Sequence, residues 1–189
     1  DAQYLKGNEM VSWPAGRGYE ASVPGHAVTQ IVHPWGGGSL PILFEDDPAI
    51  HTCRQFSGTA DRETMEGVIA LQQQFEAEVR SLPEDERIVA MQGLVDDVEP
   101  FLPPREISLI HRSCDFAVGT GSAGGRKVVI QSTRPYTQTG MIQAATAAKL
   151  CSVGTNKTGF ASACEAVGHR YLLGQLKQFF PLKLTISDF

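Results

Sequence analysis

The sequence predicts an α+β fold with a mixed, largely antiparallel sheet and helices packed mainly on one face. Two apolar runs rich in β-branched residues, at 107–118 and 127–136, flank a glycine cluster and are typical of paired strands. An alanine-rich segment follows as far as Leu150 and predicts a helix lying close to that sheet. Apolar residues at helical spacing between Asp61 and Ser81 predict a second long helix.

The length favours one domain, because 189 residues can enclose a full core but are few for two. Residues 1–26 are rich in Gly and Pro and show little periodicity, which predicts an irregular N-terminal arm. Residues 27–189 are then expected to form a single α+β domain. The first residue is not methionine, so we expect a processed or excised piece of a longer protein.

The first half of this domain is expected to contain two strands and two helices. Alternating apolar and polar residues at 27–33 and again at 49–57 predict the strands. Asp61 can cap free amides at the start of the long helix. Pro83 opens a shorter helix, whose first turn is filled by acidic residues that suit the positive end of the helix dipole.

The second half is expected to alternate strands and helices. Thr137 or Thr139 is predicted to cap the alanine-rich helix. Ser162 and Glu165 have the spacing of a capping box at the start of a further helix. Residues 182–187 alternate again and predict an edge strand.

The glycine cluster offers a second interpretation. Gly119, Gly121 and Gly124 match the G-x-G-x-x-G spacing of dinucleotide-binding loops. In that motif a helix follows and its N-terminal amides hold the pyrophosphate, whereas here three consecutive β-branched residues follow and favour a strand. We therefore predict a glycine-rich hairpin turn and no cofactor bound by this chain alone.

Composition predicts a cytoplasmic protein without a metal. The four cysteines are scattered with no Cys-x-x-Cys pair, which indicates reduced thiols rather than a disulfide scaffold or a zinc ribbon. His111 and Cys114 lack a second ligand pair, so no metal site is predicted. No apolar run approaches the length of a membrane span, and no secretory signal is visible.

Charge is distributed unevenly along the chain. The net charge is -5, yet residues 116–164 contain five basic residues and no acidic one. This positive stretch either packs against acidic helices of the same domain or faces an anionic small-molecule substrate or partner. Nucleic acid is not expected, because the overall balance is acidic and the five charges do not form an interleaved basic-aromatic pattern.

The order of segments resembles the saccharopine-dehydrogenase-like family. The resemblance begins at Trp35-Gly-Gly, a strand ending at Gly58 and a helix from Asp61. It continues through Pro135-Tyr-Thr-Gln-Thr-Gly140 and the alanine-rich helix, then through segments 159–165 and 168–176. In that family a Rossmann domain binds NAD or NADP, and a C-terminal α+β domain binds substrate and often dimerises.

The resemblance implies that this chain corresponds to the second part only. NAD(P) is then expected only if a Rossmann domain exists elsewhere, and no catalytic residue can be carried over. The implied function is substrate binding and dimerisation within an oxidoreductase; the alternative is a non-catalytic, stand-alone small-molecule-binding or protein-interaction module. The implied substrate-binding residues are Trp35, Gly36, Gly37, Arg134, Tyr136 and Thr139.

Two expectations concern surfaces. Arg134 and Tyr136 should border the main pocket, because they lie where the second long strand ends and the helix begins. The sheet should keep one face uncovered, since the chain offers too few helices for both, and burial of this apolar face predicts a homodimer or contact with another domain.

Overall fold

The computed structural model describes residues 2–34, 38–98 and 111–189, with the side chains of residues 97 and 98 left aside. The chain divides into two compact units, which we call unit 1 (Asp1–Pro103) and unit 2 (Pro104–Phe189). This differs from the single domain expected for residues 27–189. The boundary falls between two adjacent prolines of the sequence.

The α+β class is confirmed. The strands are β1 (Gln3–Lys6), β2 (Glu9–Ser12), β3 (Tyr19–Ala21), β4 (Gln30–Val32), β5 (Thr52–Cys53), β6 (Ser113–Gly121), β7 (Gly124–Ser132) and β8 (Lys183–Asp188). The helices are α1 (Leu40–Leu43), α2 (Arg62–Gln74), α3 (Glu84–Val98), α4 (Pro135–Ser152) and α5 (His169–Phe179). Among the described residues, two π-helical turns, Phe75–Val79 and Cys164–Gly168, adjoin α2 and α5.

Unit 1 begins with a sheet in the order β2-β1-β5. Gly7 and Asn8 both have positive φ, +61° and +64°, and form the two-residue turn between β1 and β2. A turn of this kind matches the twist of paired strands. Leu5 lies between Met10 and Cys53 in the sheet and is fully buried. The predicted irregular arm is therefore wrong for residues 3–21, which contain β1, β2 and β3.

A second sheet of unit 1 pairs β3 with β4, and the backbone of His33 continues the pairing to Ser57. The strand expected at 49–57 is thus limited to β5 and this single bridge, because residues 54–56 between them belong to no strand. The helix predicted from Asp61 is confirmed as α2, which extends into the π-helical turn Phe75–Val79. Asp61 precedes its first residue and accepts a hydrogen bond from the Thr64 hydroxyl.

Unit 2 contains one sheet in the order β6-β7-β8, and both pairs are antiparallel. The predicted hairpin is confirmed, because Gly121 and Gly124 are paired across the turn between β6 and β7. Gly124 has φ +116°, and a Cβ on Gly125 would lie 2.5 Å from the Phe189 ring. The described residues form three small sheets, and not the single mixed sheet that the sequence predicted. The edge strand expected at 182–187 is confirmed as β8.

The helices of unit 2 share a small core formed by Ala145 of α4, Val167 of the π-helical turn and Leu172 of α5. The predicted capping box before α5 is confirmed: the Ser162 hydroxyl accepts from the Glu165 amide at 3.2 Å, and Glu165 accepts from the Ser162 amide at 2.9 Å. Hydrogen bonds from Lys157 and Ser162 lower the pKa of Glu165 to about 2.

The start of α4 differs from the prediction. Neither Thr137 nor Thr139 caps this helix, because it already begins at Pro135. The preceding residue, Arg134, takes a left-handed conformation with φ +56°. Proline disfavours the right-handed helical conformation in the residue before it and suits the first helical position itself. The strand expected to reach residue 136 therefore ends at Ser132.

Candidate ligand-binding cavity

Unit 1 contains an open cavity of about 460 Å³. Three segments form it: the loop at 13–17, the end of α2 with its π-helical turn, and the second half of α3. The volume lies in the range that proteins use for small organic ligands. The lining residues are Ala2, Trp13, Pro14, Ala15, Gly16, Arg17, Pro34, Leu71, Gln72, Phe75, Glu76, Arg80, Met91, Leu94 and Val95.

Gly16 holds the loop against α2. Its carbonyl oxygen accepts a hydrogen bond from Gln73 Nε2 at 2.8 Å. Its φ is +61°, a conformation that side chains rarely adopt, and a Cβ there would collide with Cγ of Gln73. Glycine is thus required at this position both for the turn and for the close approach of loop and helix.

Trp13 forms the aromatic wall of the cavity and is itself held by three rings. Its ring centroid lies 4.2 Å from that of Tyr4, 5.2 Å from that of Tyr19 and 5.2 Å from that of Phe56. Tilted and edge-on pairs at these distances are the favoured geometries for aromatic side chains. We call Tyr4, Trp13, Tyr19 and Phe56 the aromatic cluster; it fixes the position of the indole beside the cavity.

The π-helical turn at the end of α2 supplies much of the opposite wall. The amide of Arg80 donates to the carbonyl of Phe75 at 2.9 Å, which is the i to i+5 spacing of a π-helix. This turn places Phe75, Glu76 and Arg80 on the cavity lining. Single π-helical turns occur frequently at functional sites, because they change which side chains of a helix face the same surface.

The charged groups of the lining are arranged asymmetrically. Arg80 Nη1 donates to both carboxylate oxygens of Glu76, at 2.9 and 2.7 Å. Arg17 lies instead over the Tyr19 ring, with its guanidinium carbon 5.2 Å from the ring centroid. The described part of the lining therefore contains one ion pair and one further cation.

A buried histidine lies behind the lining. His33 is 2% exposed, and its Nδ1 donates to the Pro34 carbonyl oxygen at 2.9 Å. Burial lowers the pKa of His33, and the hydrogen bond to Pro34 opposes this shift only in part. The imidazole is therefore neutral near pH 7. It supports Pro34 and lies 3.4 Å from Gln72 Nε2, so it positions two lining residues.

The predicted site residues fall in different places. Trp35, Gly36 and Gly37 lie outside the described residues, although Pro34, directly before them, lines the cavity. Arg134, Tyr136 and Thr139 belong to unit 2 and do not line this cavity. Tyr136 is 83% exposed, and the Thr139 hydroxyl donates to the Pro135 carbonyl at 3.1 Å. Their assignment to a substrate site stays a prediction.

Sequence reasoning missed the residues that form the cavity. Trp13 and Arg17 lie in the segment for which the sequence predicts an irregular arm, and Phe75 fits the apolar helical spacing between Asp61 and Ser81 as an ordinary core residue. One signal was available: a tryptophan, an arginine and two glycines occur together in Trp13-Pro-Ala-Gly-Arg-Gly18, a composition that suits a binding loop. The contributions of Met91 and Leu94 depend on long-range packing and carry no comparable local signal.

Within residues 2–34, 38–98 and 111–189, no group of three or more His, Cys, Asp or Glu side chains could hold a metal ion. None of the helices in this part of the chain is long and apolar enough to cross a membrane.

Fold and cavity together define an α+β protein of two units, one of which has a cavity of ligand size. The chain belongs to a family of unknown function (DUF5938), whose family model matches residues 1–185. No curated protein and no solved structure matches it.

Proposed function

We propose that unit 1 binds a small organic molecule in the cavity between the 13–17 loop, α2 and α3. The observation that carries this proposal is the composition of a 460 Å³ cavity, in which apolar and aromatic side chains predominate over a few polar groups. That combination is typical of small-molecule sites, where apolar walls provide affinity and a few polar groups fix the orientation of the ligand.

The rigid support of the walls favours a binding role over a packing defect. The aromatic cluster holds Trp13, the Gly16 to Gln73 hydrogen bond holds the loop, and the Glu76 to Arg80 pair holds the π-helical turn. Preformed walls reduce the entropy that is lost when a ligand binds. A cavity supported in this way is suited to one defined class of ligand.

The narrower role within an oxidoreductase stays a prediction. The family that matches has no known function, and nothing connects it with saccharopine-dehydrogenase-like proteins. Binding in unit 1 suits a substrate domain and equally suits a module that carries a ligand without transforming it. The cytoplasm is the compartment we propose, because the structure has no disulfide among its four cysteines.

The proposal that the cavity binds a ligand can be tested by a substitution that fills part of it with a larger side chain. Leu71 is half-buried in the lining, whereas its neighbour Ala70 is exposed on the same helix and does not line the cavity. Leu71→Trp should occupy part of the volume and weaken binding of the neutral dye Nile red by about tenfold. Ala70→Trp, a matched control, should leave binding unchanged. The measurement is a fluorescence titration of each variant.

Either of two results would contradict the proposal. In the first, Nile red shows no saturable binding to the unaltered protein. In the second, Leu71→Trp and the unaltered protein bind the dye equally well while both retain the same circular dichroism spectrum. The dye would then occupy some other apolar surface.

We also propose that two copies associate through the sheet of unit 2. Phe116 and Val118 lie on one face of β6 and are 39% and 54% exposed. Exposed apolar side chains on a small sheet favour burial against a second copy. Sedimentation at micromolar concentration should give twice the chain mass of 20.5 kDa, and Phe116→Glu should shift it to the monomer. A monomer for the unaltered protein would be the opposite result.

A further inference from the structure

We infer that the ligand of unit 1 is an amphipathic carboxylic acid whose carboxylate is received by Arg17. The inference rests on the proposed function, since it concerns the same cavity. It is based on the lining of the cavity, in which Arg17 lies in the 13–17 loop and apolar side chains line the α2 and α3 sides.

Among the ionisable side chains of the described lining, Arg17 is a cation that stands outside the Glu76–Arg80 ion pair. Arg17, Glu76 and Arg80 are the ionisable residues of this lining. Glu76 and Arg80 form an ion pair through two hydrogen bonds. Arg17 forms no salt bridge with any carboxylate in the described part of the chain. Arg17 is exposed and lines the cavity, so a ligand with a single negative charge gains a charge-assisted contact there that a neutral or cationic ligand lacks.

The contact with Tyr19 gives Arg17 a defined orientation. A guanidinium carbon 5.2 Å from the ring centroid is within the range of a cation–π interaction. An arginine placed over a ring keeps the N–H groups at its planar edge available, and these groups match the two oxygens of a carboxylate. Tyr19 is in turn held by Trp13 and Phe56 of the aromatic cluster.

The rest of the cavity is apolar. Leu71 and Phe75 lie on the α2 side, and Met91, Leu94 and Val95 lie on the α3 side. These side chains can cover a hydrocarbon or aromatic body, with the acid group directed towards the 13–17 loop. Ligands with several charges are disfavoured, because a second anionic group would lose its hydration against these walls without gaining a partner.

A matched pair of ligands tests the inference. Decanoate and decanol share one hydrocarbon chain and differ in the charged end. Calorimetric titration of the full chain should show decanoate binding about tenfold more tightly than decanol, a typical gain from one charge-assisted contact. Arg17→Gln should remove this preference by weakening decanoate binding alone. Continued binding of decanol shows that the variant is folded and its cavity intact.

Arg54 provides the control. It lies over the Tyr4 ring of the same aromatic cluster, with its guanidinium carbon 5.6 Å from the centroid, but it does not line the cavity. Arg54→Gln removes the same charge from the same region and should leave both affinities unchanged. An equal loss of decanoate binding in the two variants would show that only the general positive potential matters, and would overturn the role of Arg17.

The remaining outcomes separate the two proposals. If decanol binds as tightly as decanoate and Arg17→Gln changes neither, the cavity binds ligands but the carboxylate inference is wrong. If neither compound binds and Nile red does not bind either, the proposed function itself is wrong, and the inference falls with it.

Discussion

Replacing Trp13 with alanine is expected to lower the free energy of unfolding of unit 1 by about 3 kcal/mol and to abolish ligand binding. The indole contacts Tyr4, Tyr19 and Phe56, so its removal opens a void at the centre of the aromatic cluster. It also removes one wall of the cavity. We choose the lower end of the range for tryptophan truncation, because Trp13 is only half-buried.

Hydrogen exchange at the amides of β1 and β4 measures this loss of stability, and a Nile red titration measures binding. Phe56→Leu is the control, because Phe56 belongs to the aromatic cluster but does not line the cavity. It should cost less stability and retain binding. Dye affinity that survives Trp13→Ala unchanged would show that the indole is not part of the site.

The second large effect is expected in unit 2, where Leu172→Ala should cost about 3 kcal/mol. Leu172 is 5% exposed and lies in the core formed with Ala145 and Val167. Alanine would leave a cavity between α4 and α5, because two packed helices can only partly close around a missing side chain.

Protection of the amides of α4 and α5 against hydrogen exchange measures this effect. Leu150→Ala is the matched control: it makes the same change in α4 at a position that is 41% exposed. Its cost should stay below about 1 kcal/mol, since little apolar surface is lost. Equal costs for the two variants would mean that Leu172 does not lie at the centre of the unit 2 core.

The parts of the fold that could be predicted depend on local signals. The hairpin at Gly121 and Gly124 follows from a glycine cluster between two β-branched runs. The Ser162 and Glu165 capping box follows from a spacing of three residues. Both structures are complete within a few residues of sequence, so no distant partner is needed to specify them.

The predictions are wrong where strands are very short or where a neighbouring residue determines the position at which a helix begins. Strands of three or four residues in residues 3–21 are too short for period-two alternation to be recognised, although Gly7-Asn8 is a hairpin signal in itself. At the start of α4 the proline at position 135 fixes the first helical residue, which takes precedence over the later threonines as caps.

The cavity could not be predicted, because its walls come from segments far apart in sequence. Trp13, Phe75 and Leu94 meet only through the packing of the loop, α2 and α3. Each of these residues alone is consistent with an ordinary core position. Only their arrangement around about 460 Å³ of open space distinguishes a binding site from a core.

The central claim, that unit 1 binds a ligand between the 13–17 loop, α2 and α3, is tested most directly by a nuclear magnetic resonance titration of the full chain with decanoate. We predict saturable amide shifts in residues 13–17, 71–80 and 91–95, with the amides of unit 2 unchanged. Shifts confined to unit 2, or shifts that never saturate, would contradict the account.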